Sequence, residues 1–153
     1  MSRVQLALRV ADLEGSIAFY SKLFGVEPAK RRPGYANFAI TEPPLKLVLL
    51  EGEEGEPTRM DHLGVEVEDT AQVAAAAGRL EAAGLATFEE NDTTCCYALQ
   101  DKVWVHGPGT EPWEVYVVKA VADTLIKETG SVCCATGEAV DDTVAPATAK
   151  SCC

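Results

Sequence analysis

Gln5, His62 and Glu114 offer an amide oxygen, an imidazole nitrogen and a carboxylate oxygen. Such a set suits a borderline divalent ion. One His and one carboxylate with open positions form a variant of the two-His, one-carboxylate arrangement that suits Fe(II) and dioxygen chemistry. Cys95 and Cys96 are a second group. Adjacent thiols present two soft donors to one soft acceptor. A trivalent arsenic carrying one carbon substituent has two remaining valences, which two thiolates fill; inorganic arsenite or antimonite has a third. Each group alone has a plainer reading. A lone strand histidine more often packs in a core, a glutamate in an apolar strand can face water, and free cysteine is often a small buried side chain. His106, beside Gly107-Pro108-Gly109, is read as structural in this way.

Positioning these groups requires elements, and a repeat supplies them. Gln5-Leu6-Ala7-Leu8-Arg9-Val10-Ala11-Asp12 matches His62-Leu63-Gly64-Val65-Glu66-Val67-Glu68-Asp69 in kind. Both copies read as a strand with apolar residues at alternate places, followed by an Asp that caps a helix. The first helix carries Leu13, Ile17, Tyr20 and Phe24 on one stripe and ends at Gly25. The second carries Val73, Ala76, Ala77 and Leu80, ends at Gly84, and has Gln72 placed as a capping-box partner of Asp69. Further strands are expected around Val26–Ala29, Tyr35–Ile40 and Leu45–Glu51, then at Leu85–Phe88, Tyr97–Gln100, Val103–His106 and Trp113–Val118. The polar run Glu89–Thr94 reads as a loop, suited to closing over a substrate.

A second match sets Pro44-Leu45-Lys46-Leu47 against Pro112-Trp113-Glu114-Val115, so that Lys46 corresponds to Glu114 as Gln5 does to His62. The fold class follows: α+β, two paired β-α-β-β-β modules forming a concave mixed sheet around a metal site. The modules span 3–51 and 60–118 within a domain of residues 1–119. Strand parity turns Leu6, Leu8, Val115 and Val117 toward the helices, and Gln5, His62 and Glu114 toward the inner surface. Beyond Lys119 a short helix is expected over 120–127, within a flexible C-terminal tail, 120–153.

The chain of 153 residues suits one domain. With 24 acidic against 13 basic residues and a net charge of −11, it repels phosphate backbones, so nucleic acid is not an expected partner. No apolar run approaches the roughly 18 residues of a membrane span, and Met1-Ser2-Arg3 leads straight into a strand without a secretory leader, so a cytoplasmic location is expected. The six cysteines form three adjacent pairs, Cys95-Cys96, Cys133-Cys134 and Cys152-Cys153. Neighbouring Cα atoms about 3.8 Å apart are closer than the usual 4.4–6.8 Å of a disulfide, so the pairs read as dithiols in a reducing compartment.

The duplicated pattern, with His62 and Glu114 in place, resembles the vicinal oxygen chelate superfamily of glyoxalase I, bleomycin-resistance proteins and type I extradiol dioxygenases, over about residues 3 to 119. Ser2-Arg3-Val4-Gln5-Leu6-Ala7-Leu8, Phe19-Tyr20-Ser21-Lys22-Leu23-Phe24-Gly25, Arg32-Pro33-Gly34-Tyr35-Ala36-Asn37-Phe38-Ala39, Asp61-His62-Leu63-Gly64-Val65-Glu66-Val67 and Thr94-Cys95-Cys96-Tyr97-Ala98 are similar to the carbon–arsenic lyases and related cadmium-induced proteins. The resemblance implies a non-heme Fe(II) enzyme that uses dioxygen to cleave the carbon–arsenic bond of trivalent organoarsenicals, such as methylarsenite or reduced aromatic arsenicals, to arsenite. Fe(II) would sit on Gln5, His62 and Glu114, where Ni, Co, Mn or Zn could substitute, and arsenic on Cys95 and Cys96. Lys46, a cation at the fourth metal position of glyoxalase I, argues against that isomerase activity. The alternative is a thiol-based cadmium- or arsenic-binding protein without catalysis.

Overall fold

The computed structural model describes residues 2–125. Its elements follow the order β1 (Arg3–Val10), α1 (Leu13–Phe24), β2 (Lys30–Arg32), β3 (Tyr35–Ile40), β4 (Leu45–Glu51), β5 (Arg59–Glu66), α2 (Thr70–Ala82), β6 (Thr87–Cys95), β7 (Ala98–His106) and β8 (Pro112–Val121). Two β-α-β-β-β modules are therefore present. They join edge to edge in one eight-stranded sheet of order β2-β3-β4-β1-β5-β8-β7-β6. β1 pairs parallel with β4, and β5 parallel with β8, while β1 and β5 run antiparallel at the seam.

The helices form where their caps say they should. The Asp12 carboxylate accepts from the Gly15 N–H at 2.8 Å, and Gly25 closes α1 at φ +68° with its N–H donating to Ser21 O. Asp69 accepts from the Gln72 N–H at 2.8 Å. The returning Gln72 Oε1 accepts from Glu68 N–H rather than from Asp69, so the expected capping box is displaced by one residue.

Both helices lie on one face of the sheet. Ile17 of α1 packs with Val10, Phe38, Leu47 and Leu49, joined by Leu6 and Leu8. Val73, Ala76 and Ala77 of α2 pack with Val103 and Val117, joined by Val115. That parity is the one the strand alternation requires, and it leaves the opposite, concave face to Gln5, His62 and Glu114, all buried.

Four expectations change. The strand placed at Val26–Ala29 lies instead at Lys30–Arg32. Glu89–Thr94 is not a loop: it belongs to β6, an edge strand paired with β7 and bulged between Glu90 and Thr93. The two strands placed at Tyr97–Gln100 and Val103–His106 are one, β7, which begins at Ala98 and leaves Tyr97 in the preceding turn. The helix expected over 120–127 is replaced through Val121 by the end of β8, and no helix follows among the described residues. The tail beyond residue 125, with Cys133, Cys134, Cys152 and Cys153, lies outside the described residues.

The two sequence matches are also out of step. Gln5 pairs with Lys46 across β1 and β4, but Glu114 pairs with Gly64, not with His62. A single two-fold axis cannot relate both pairs.

Candidate functional site

Glu114 reaches His62 because the position between its strand and β1 is Gly64. Gln5, Gly64 and Glu114 form one cross-strand row. A Cβ on Gly64 would stand 3.1 Å from Glu114 Cγ, 3.3 Å from Tyr116 Cε1 and 3.4 Å from Gln5 Cβ. The glycine thus lets the neighbouring chains close over it. Gln5 Nε2 lies 3.0 Å from His62 Nε2 and 2.8 Å from Glu114 Oε1, and the third edge, His62 Nε2 to Glu114 Oε1, is 3.4 Å.

Donors about 2.0–2.2 Å from one cation lie about 2.8–3.6 Å from each other, for octahedral or tetrahedral angles. The three edges fall in that range. Rotating the Gln5 amide puts Oε1 at the same corner, and the two amide ends occupy nearly the same space. Among the described residues no three His, Cys, Asp or Glu side chains come together for a metal, so the amide is what completes the set.

A surrounding layer fixes these groups. Asp61 Oδ1 is 2.7 Å from His62 Nδ1, and Arg9 holds Asp61 Oδ2 at 2.6 Å. Nδ1 therefore carries the proton, and in the neutral ring Nε2 presents its lone pair to the corner. Lys102 Nζ donates to Glu114 Oε2 at 2.7 Å and leaves Oε1 for the corner. The Tyr116 hydroxyl lies 2.5 Å from Gln5 Oε1 and 2.9 Å from Glu66 Oε2, and accepts from Lys46 Nζ at 3.0 Å.

The charges respond accordingly. Burial opposes a charged His62, but the Asp61 and Glu114 carboxylates outweigh it and raise the imidazole to about 9. Burial likewise opposes ionised Glu114, yet Lys102 and His62 hold it well below the usual carboxylate range. Lys102 stays charged against its burial because Glu114 and the two cysteines favour the cation. At Lys46 burial prevails over Glu66 and lowers the ammonium.

Cys96 lines the same cavity, of about 180 Å³, together with Gln100, Lys102, His62 and Glu114 among others, while Cys95 is buried beside it among Ala7, Tyr35, Val48 and Leu50. Cys95 ends β6, and Cys96 and Tyr97 form the two-residue turn to Ala98, with φ +53° and +61°. Positive φ at both central residues is the type I′ hairpin geometry, normally left to Asn and Gly. Because the backbone turns there, the thiols do not splay to opposite faces: Cys95 Sγ and Cys96 Sγ are 3.3 Å apart and are not joined in a disulfide. Two sulfurs about 2.3 Å from one soft atom, with roughly a right angle between the bonds, lie about that far apart.

The structure thus brings Gln5, His62 and Glu114 to one corner, and Cys96 to the wall of the same cavity with the Cys95 thiol next to it. His106 lies at the far end of β7, paired with Pro112. Sequence reasoning missed Asp61, Lys102 and Tyr116. Only Asp61 carried a signal, as the carboxylate next to the histidine.

Duplicated β-α-β-β-β modules closing around a histidine, a carboxylate and an amide define a class. The chain belongs to the Glyoxalase/Bleomycin resistance protein/Dioxygenase superfamily, whose family model matches residues 3–116. Within it the chain is 75% identical over 134 residues to a trivalent organoarsenical cleaving enzyme of Thermomonospora curvata, covering 88% of this chain and 89% of that protein. It is 62% identical to a cadmium-induced protein of Mycobacterium tuberculosis, over 82% of each chain. Among solved structures, an extradiol ring-cleaving dioxygenase from B. fuscum shares the fold, with a TM-score of 0.58 and 20% identity over 79% of this chain and 34% of that one.

Proposed function

We propose that this chain is an enzyme that cleaves the carbon–arsenic bond of trivalent organoarsenicals, releasing arsenite, with Fe(II) as cofactor and dioxygen as oxidant. The observation that carries the reading is the 3.3 Å approach of the Cys95 and Cys96 thiols, of which Cys96 lines the cavity that also holds His62 and Glu114. The 75% identity to an organoarsenical cleaving enzyme supports the same substrate class.

Cys95 and Cys96 replace the two hydroxyls of R–As(OH)2, with loss of two waters, and so hold the As–C bond in the cavity, a proximity effect. Gln5, His62 and Glu114 would hold Fe(II), which when bound supplies a site that activates dioxygen. Asp61 keeps the His62 ring turned so that Nε2 faces the corner. Lys102 keeps Glu114 ionised and oriented. Gly64 keeps the corner narrow. No helix among the described residues is long and apolar enough to cross a membrane.

The second reading, sequestration of cadmium or arsenic on thiols, is favoured by the 62% identical cadmium-induced relative. Oxygen uptake separates the two. Fe(II)-loaded protein given methylarsenite under air should consume dioxygen and release arsenite. Tight binding with neither uptake nor arsenite would establish sequestration instead.

A further inference from the structure

One residue that lines the cavity carries a buried polar atom without a hydrogen-bond partner. Gln100 is 4% exposed and lines the cavity beside Cys96. It stands on β7 between Ala98, which pairs with Cys95, and Lys102, which holds Glu114. Its Nε2 donates to the Cys95 carbonyl at 3.1 Å. Among the described residues no donor reaches its Oε1. Turning the amide over would set Oε1 against the Cys95 carbonyl oxygen, so the present orientation is the favoured one. A buried acceptor of this kind is suited to a donor brought by a ligand or a water.

The chemistry of the dithiol names one. An organoarsenical R–As(OH)2 that reacts with two thiols loses both hydroxyls as water and becomes R–As(SCys)2, with no O–H left on arsenic. Inorganic As(OH)3 reacting with the same thiols also loses two waters, with two As–S bonds replacing two As–O bonds and arsenic staying trivalent. It becomes (CysS)2As–OH and keeps one hydroxyl.

We propose that Gln100 is the acceptor for the hydroxyl that inorganic arsenic(III) retains when Cys95 and Cys96 hold it, so that this side chain distinguishes bound arsenite from bound organoarsenical. The inference rests on the dithiol reading above. Gln100 acts here as a binding residue for the product, and it slows arsenite release relative to substrate exchange.

The test uses the full metal-free chain with Cys133, Cys134, Cys152 and Cys153 changed to serine, so that only the cavity dithiol binds. Affinities for arsenite and for phenylarsenite are measured by calorimetry. Gln100→Met should weaken arsenite roughly three- to tenfold, the worth of one neutral hydrogen bond, and leave phenylarsenite within about twofold. Gln100→Glu keeps an acceptor at Oε1 while losing the N–H given to Cys95, and it should keep the arsenite preference. If Gln100→Met weakens both ligands alike, or neither, the proposal is overturned. If Gln100→Met does not fold, Gln100→Glu decides alone: loss of the preference overturns the proposal, and retention supports it. Failure of phenylarsenite to bind with Gln100 in place is a different result, since it removes the dithiol itself.

Discussion

Asp61 lies 2.7 Å from His62 through its Oδ1 and the ring Nδ1, although adjacent strand residues ordinarily point to opposite faces. The cause is a bulge: β1 and β5 shift register between Ala7 and Leu8, pairing Ala7 with His62 and Leu8 with Met60, so Asp61 drops out of the ladder. The carboxylate is thereby free to fix the histidine. Asp61→Asn should lower divalent-metal affinity about 10- to 100-fold, the usual cost of losing such a partner. A metal titration monitored by the fluorescence of Trp104, whose ring centroid is 5.6 Å from that of His62, would read it.

Lys102 and Glu114 form a buried pair, and removing Lys102 leaves the buried carboxylate only the His62 ring as a charged neighbour. Lys102→Met should cost about 3–5 kcal/mol of stability in urea unfolding of the metal-free chain. Adding Glu114→Gln should recover much of that loss, because the buried carboxylate deprived of its lysine is then gone.

His62 couples metal binding to protons. Its folded value of about 9 lies above the ordinary 6.5, so in the metal-free chain the charged ring contributes stability that is complete below about 6.5 and is lost as pH rises through about 9. The groups around it are Asp61 and Glu114, which favour the charge, with Gln5 and the Trp104 ring also in contact. Metal binding requires the neutral ring. Metal-free protein should therefore lose thermal stability across that window. Metal uptake below about 9 should release close to one proton, measurable by calorimetry in buffers of different ionisation enthalpy.

Gly64→Ala tests how tightly the corner is built. Its Cβ would press on Glu114 Cγ at 3.1 Å and on Gln5 Cβ at 3.4 Å, neither of which is the loose end of a long side chain. An overpacking cost of about 1–3 kcal/mol and a weaker metal site are expected, to be checked by unfolding and titration on the same preparation.

Much of this was legible in the chain itself. The alternation of Val4 to Val10, the Asp12 and Asp69 caps and the repeat around His62 determine the modules and the faces, because each rests on local periodicity. β6 was not legible because it is an edge strand. Its charges at Glu89, Glu90 and Asp92 give the polarity of a loop, while edges of sheets tolerate and even favour such residues. Asp101 and Lys102 read as a break between two strands for a similar reason. Both are buried in mid-β7, each neutralised by a partner far away in sequence, Lys119 and Glu114. The role of Asp61 depended on a bulge, which no pattern of residue types announces.

Two loads are expected close together: arsenic on Cys95 and Cys96, and a divalent metal on Gln5, His62 and Glu114. Crystals grown with Co(II) in place of Fe(II) and soaked with phenylarsenite would show both by anomalous scattering at the two absorption edges. The expected result is one arsenic peak bonded to both sulfurs of the turn and one cobalt peak at the corner of His62 Nε2 and Glu114 Oε1. Cobalt bound away from that corner, or arsenic held away from the Cys95-Cys96 turn, would contradict it.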